Sequence, residues 1–111
     1  MERLVKGDVV ILLFPFSDLS SARKRPAVVV ACLTGDDVIL AQITSAAIRK
    51  DEYAILIESK DFKHGSLPIP SLIRANKLFT ADRLIINTKI GTLKEDKMRE
   101  LQEMVMHILR K

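Results

Sequence analysis

Two short stretches of the chain hold residues whose types and spacing could do chemistry on a phosphate, and a third holds a candidate acid or base. Arg23-Lys24-Arg25-Pro26 stands directly before the most apolar run, residues 27–33. Pro26 restricts the residue before it to extended backbone. Arg25 is therefore expected at a strand mouth, as a planar, permanently charged fork suited to phosphate oxygens. The same cluster also reads as a charged gatekeeper that keeps an aggregation-prone strand soluble. Gln42-Ile43-Thr44-Ser45 ends the next apolar run, and its hydroxyls either bond local backbone or face a ligand. If the two runs pair as a hairpin around Gly35, Arg25 and Thr44 both lie near its open end. His64, beside Gly65 in a polar segment, is an imidazole where an acid or base could act; the plain alternative is a solvated loop residue.

Other chemistries find no support. The four glycines, Gly7, Gly35, Gly65 and Gly91, are too scattered for a phosphate-cradling loop or a dinucleotide fingerprint. No serine sits in a Gly-x-Ser-x-Gly elbow. Two histidines and one cysteine cannot build a structural zinc site in one chain, and neither a metal nor a cofactor is expected. Cys32, inside a continuous apolar run, reads as a core residue with an unreactive thiol. His107 reads as a solvated position opposite a helical stripe. The adjacent carboxylates Asp36-Asp37, Asp51-Glu52 and Glu95-Asp96 read as solvated or capping groups at turns and in a helix's first turn.

The elements that must position these residues follow from the apolar pattern. Residues 9–16, 27–33, 38–43 and 53–57 have strand length, are rich in β-branched residues and are bounded by turn or charged residues. Thr34-Gly35-Asp36-Asp37 joins the second and third as a hairpin-like connection, and Pro15 falls at the end of the first, where a missing N–H is tolerated. Residues 61–70 read as an exposed loop, followed by short strands over about residues 71–77 and 84–89. Thr92-Leu93-Lys94-Glu95 fits a capping box. After it, Met98, Leu101, Met104, Val105, Ile108 and Leu109 keep three-and-four spacing, the stripe of an amphipathic helix. Short strands, short turns and one final helix predict a mainly β (α+β) fold: a small, strongly curved sheet or barrel with the helix laid across it. No helix separates the early strands, which disfavours a doubly wound α/β fold.

Composition bounds the rest. At 111 residues and 48 per cent apolar, the chain is expected to form one domain with a real core over residues 1–111. No apolar run approaches the roughly 20 residues of a membrane span, and no signal peptide is evident. The single cysteine suits a reducing compartment, so a cytoplasmic location without a membrane partner is expected. The net charge of +4 permits a polyanionic partner without requiring one.

Several motifs, in order, resemble one family. Gly7-Asp8-Val9-Val10, Phe14-Pro15-Phe16-Ser17-Asp18-Leu19 and Lys24-Arg25-Pro26-Ala27-Val28-Val29 resemble the start of PemK/MazF-type toxins of toxin–antitoxin pairs. Gln42-Ile43-Thr44-Ser45 is similar to that family's second motif, and Pro70-Ser71-Leu72-Ile73-Arg74 through Lys77-Leu78 to its third. Ile90-Gly91-Thr92-Leu93 and the helix after it resemble its C-terminal end. The resemblance implies a small SH3-like barrel with a C-terminal helix, of the kind shared by CcdB and PemK toxins. It implies a homodimeric, metal-independent endoribonuclease that cuts single-stranded RNA at preferred sequences. The 2′-OH of the substrate would attack the adjacent phosphate, leaving a 2′,3′-cyclic phosphate and a 5′-OH. Arg25 would stabilise the phosphorane or donate to the leaving group, Thr44 would hold a phosphate oxygen, and Arg74 would be a second active-site arginine. Arg23, Lys24, Ser45, Asn76 and Lys77 are the expected RNA contacts. The expected protein partner is a cognate antitoxin, with DNA bound only through the antitoxin complex.

One position departs from the pattern. Where some members carry Asp two residues after the second arginine, this chain has Asn76, which cannot take a proton at neutral pH. Asp18 and His64 are the candidate acid or base in its place. Two other readings compete: a catalytically inactive homologue that binds RNA or antitoxin, and a gyrase poison of the CcdB kind. The second calls for a C-terminal Trp-Gly-Ile, whereas this chain lacks Trp and ends Leu109-Arg110-Lys111.

Overall fold

A computed structural model describes residues 3–13, 23–46 and 51–111. Its strands are β1 (Asp8–Leu13), β2 (Lys24–Cys32), β3 (Asp37–Ser45), β4 (Ala54–Ile57), β5 (Phe62–Gly65), β6 (Ser71–Asp82) and β7 (Ile86–Leu93), and the final element is helix α1 (Glu95–Leu109). They form one curled antiparallel sheet of seven strands in the order β4-β6-β3-β2-β1-β7-β5. The mainly β architecture with one terminal helix is the one the sequence pattern predicts. Among the described residues, no helix is long and apolar enough to cross a membrane.

Alternation along the strands divides the buried side chains between the two faces of this sheet. On one face Val9, Val28, Ala41, Ile43, Ile55, Ile73 and Leu93 pack together with Met98 and Leu101 of α1. On the other, Val10, Leu12, Ala27, Val29, Val38, Leu40 and Phe79 form a second core. The middle of the sheet is therefore buried on both sides, which is why residues 27–29 are apolar without alternation. The helix is held over β4 by Lys97, whose Nζ donates to the Leu56 carbonyl at 3.1 Å.

Four local expectations need correction. Residues 61–70 contain the edge strand β5, paired with β7 through Phe62–Leu93, His64–Thr92 and Gly65–Gly91. Only Phe62 of its four residues is buried, so its sequence carries too little alternation to stand out from a loop. Gly65 closes it at φ +69°, where a Cβ would collide with the Ile90 carbonyl. The strands at the third motif also run longer than expected, β6 reaching Asp82 and β7 Leu93. Thr92 does not cap the helix: it lies in β7 and its hydroxyl donates to the buried Asp8 carboxylate at 2.9 Å, leaving Lys94 at the N-cap without a side-chain bond. Cys32 is exposed rather than buried. A bulge between Val29 and Ala31 carries the end of β2 out of the core. The hairpin about Gly35 (φ +90°) forms as expected. Residues 14–16, including Pro15, lie outside the described residues.

Asp8 is the only fully buried charged side chain among the described residues, at 0 % exposure. Its oxygens accept from Thr92 Oγ1 at 2.9 Å and from the Val5 N–H at 2.8 Å, and Lys89 Nζ stands at 3.4 Å. It ties the segment before β1 to β7, the strand that pairs with β1. Removing one partner of a buried, hydrogen-bonded ion pair is costly because the others are left unmatched. Asp8→Ala is expected to lower stability by about 2–3 kcal/mol, read as a reduced urea midpoint with an unchanged m-value; an unchanged midpoint contradicts this.

Candidate active site on the sheet face

Backbone pairing sets which functional side chains can meet. Ala27 of β2 pairs with Gln42 of β3, Gln42 pairs with Arg74 of β6, and Arg74 pairs with Ala54 of β4. This row faces the side of the second core, because Ala27 also pairs with Val10 of β1. Arg25 and Thr44 each lie two residues beyond the Ala27–Gln42 pair, on the same face and at the same end. Arg25, Gln42, Thr44 and Arg74 thus share one patch of three adjacent strands. With strands about 4.8 Å apart and Arg25 two residues along from the row that holds Arg74, the two arginines start about 12 Å apart, a distance that two long side chains can span together.

The patch grades from open to covered. Arg25 is exposed, Gln42 and Thr44 are half-buried, and the Arg74 side chain is only 12 % exposed. Arg74 is covered because Asp51 sits on it: Arg74 Nε donates to Asp51 Oδ2 at 3.2 Å, and the Asp51 side chain is itself 9 % exposed. Asp51 is fixed in turn by the Tyr53 N–H, which donates to Oδ1 at 3.0 Å in an Asx-type turn. Asp51 was expected to be a solvated turn carboxylate; it is instead half of a nearly buried ion pair.

The other expected contacts surround the patch. Arg23 and Lys24 are exposed at the leading end of β2. Ser45 follows Thr44 and so points to the opposite face, where it pairs in register with Ser71. Asn76 and Lys77 are exposed on a bulge, since the register jumps from Ala41–Leu78 to Gln42–Arg74. Such irregularities bend a strand and re-aim its side chains. His64 is not brought to the patch: it is on β5, at the opposite end of the strand order from β6 and β4, where it lines a hollow with Gly65, Asn87 and Lys89. Asp18 lies outside the described residues. Among the described residues, no three His, Cys, Asp or Glu side chains gather as a metal site.

Two arginines and a hydroxyl on one face of a sheet are groups that suit a phosphodiester: guanidinium groups neutralise its oxygens and a hydroxyl can orient one. Among solved structures, an endoribonuclease in complex with its cognate antitoxin from a mycobacterial species is similar over 96 % of this chain and 95 % of its own, at 15 % identity and TM-score 0.73. A mycobacterial endoribonuclease matches over 98 % of this chain and 93 % of its own, at 16 % identity and TM-score 0.72. The Mycobacterium tuberculosis toxin MazF-mt6 matches over 91 % and 96 %, at 18 % identity and TM-score 0.65. At these identities the likeness establishes the fold. No curated protein matches by sequence. The model of the PemK-like, MazF-like toxins of type II toxin–antitoxin systems matches residues 5–109. Matched over nearly its whole length, the chain belongs to the PemK-like, MazF-like toxins of type II toxin–antitoxin systems.

Proposed function

We propose that this toxin is a metal-independent, sequence-selective endoribonuclease acting on single-stranded RNA. The observation that carries the reading is the row of pairings that sets Arg25, Thr44 and Arg74 on one face of three neighbouring strands. The reaction is an internal transesterification. The 2′ oxygen forms a bond to phosphorus, the bond from phosphorus to the 5′ oxygen breaks, and the products are a 2′,3′-cyclic phosphate and a 5′-OH. Charge grows on the non-bridging oxygens as the phosphorane forms, and preorganised cationic donors act most strongly there. Arg25, the exposed member, stabilises that charge or donates to the leaving oxygen; Thr44 holds a non-bridging oxygen; Arg74 supports the phosphate from the far side. Arg23, Lys24 and Lys77 lie where flanking nucleotides would run. The proton of the 2′-OH needs an acceptor, and Asn76 offers none; Asp18 is the candidate nearest in sequence to the Arg25 motif.

By the same reading the toxin is held in check by a cognate antitoxin, as its mycobacterial neighbour is bound by one, through a segment laid over the Arg25–Arg74 patch. Unpaired RNA is the expected substrate because its bases can splay out and present their edges.

The test uses purified protein and single-stranded RNA in excess EDTA. Cleavage at a short preferred motif, with 2′,3′-cyclic phosphate and 5′-OH ends, is expected. Asn76 is the one observation that favours an inactive binder, which would shift the RNA without cutting it. A gyrase poison would leave the RNA untouched. Cleavage that vanishes with EDTA would overturn the proposed chemistry.

A further inference from the structure

The ion pair on Arg74 contains a carboxylate to which the reaction above gives no role. Arg74 and Asp51 are both nearly buried, at 12 % and 9 % side-chain exposure. Two charges at that depth are tolerated only as a pair. The pairing has a definite geometry. Asp51 takes the Nε–H of Arg74 on Oδ2 at 3.2 Å and the Tyr53 N–H on Oδ1 at 3.0 Å. The turn it belongs to also closes through the Ala54 N–H on the Asp51 carbonyl at 3.1 Å. Ala54 is the residue that pairs with Arg74 across β4 and β6. The carboxylate and the arginine it holds are thus locked to the same rung of the sheet.

An arginine has five N–H donors. With the Nε–H engaged by Asp51, the other four donors lie on the two terminal amino groups, a pair of the kind that grips phosphate oxygens. Asn76, two residues along on an exposed bulge, carries no charge with which to hold a guanidinium. Both Asp51 oxygens already accept hydrogen bonds, so the group suits a fixed acceptor for Arg74 better than a base for the 2′-OH.

We propose that Asp51 is a positioning residue of the nuclease site: it pins Arg74 through Nε so that the terminal amino groups meet the scissile phosphate. This rests on reading Arg74 as a phosphate-binding residue, and the experiment separates the two.

Full-length protein and its Asp51→Asn, Arg74→Ala and doubly substituted variants are compared in single-stranded RNA cleavage. In parallel, the Arg74 Nε–H is followed by nitrogen-15 NMR without RNA. Asn at this position keeps shape and the turn acceptor but sets an amide N–H2 against the arginine. Misplacing a binding group by about 1 Å costs on the order of 100-fold in rate. Asp51→Asn is therefore expected to lower kcat by about 100-fold with little change in KM. On top of Arg74→Ala it should cost less than about twofold, because the group it positions is gone. The Arg74 Nε–H should be protected from exchange in the wild type and exposed in Asp51→Asn. A merely structural carboxylate would lower the melting temperature without this non-additivity in kcat.

Wild-type kcat in Asp51→Asn overturns the proposal, and so does a loss that multiplies fully with that of Arg74→Ala. Arg74→Ala cutting as fast as wild type overturns the reading of Arg74 itself, and the positioning role with it. If Asp51→Asn fails to fold, Asp51→Glu carries the test, since it keeps the charges paired but displaces the acceptor by one methylene. It should lower kcat about tenfold at a near-native melting temperature, and an unchanged kcat overturns the proposal.

Discussion

Arg25→Ala should slow RNA cleavage by about 100-fold or more while leaving thermal stability almost unchanged. The two halves of this expectation have separate causes. Arg25 is exposed at the open end of the β2–β3 hairpin, and among the described residues no carboxylate pairs with it. Its removal opens no cavity and strands no buried partner, and surface changes of that kind stay within about 0.5 kcal/mol. In the proposed reaction, the same side chain faces a phosphate whose charge rises as the phosphorane forms. Losing one such preorganised donor costs two to three orders of magnitude in comparable sites. Arg25→Lys should fall between, since the charge remains but the planar fork does not. Single-turnover cleavage of one RNA by the three proteins, with their melting curves, checks this. Near-wild-type cleavage by Arg25→Ala would place the reacting phosphate elsewhere.

The part of the site that was legible in the sequence is the part built by local structure. Arg25 and Thr44 flank a hairpin whose turn is marked by Gly35, so their place near its open end follows from two adjacent apolar runs and one turn. The helix was legible from its stripe, of which Met98 and Leu101 are the buried members. What was not legible depends on pairing between distant segments. The contact of Asp51 with Arg74 spans 23 residues and requires β4 to lie beside β6 in one register. In the sequence Asp51 is one of two acids following Arg49-Lys50, and nothing local distinguishes it from a solvated pair. Thr92 shows the same limit. Its hydroxyl fits a capping box with Glu95, but a buried carboxylate 84 residues away takes it. β5 was missed because three of its four residues face solvent and its partner strand comes 20 or more residues later.

The clearest measurement concerns the substrate rather than the protein. If the 2′-OH is the nucleophile, one missing oxygen in the RNA must stop the reaction, whatever residue takes the proton. The substrate is an RNA carrying a single 2′-deoxy sugar on the 5′ side of the scissile phosphate, otherwise identical to one that is cut. Every protein contact to phosphate is retained, so binding should change little, while the bond-forming oxygen is absent. The account predicts no cleavage at that position within detection, in the presence of EDTA, with cleavage at unmodified sites of the same molecule unchanged. Cutting at the 2′-deoxy position would mean that an external nucleophile attacks the phosphate, and would contradict the mechanism assigned to Arg25, Thr44 and Arg74.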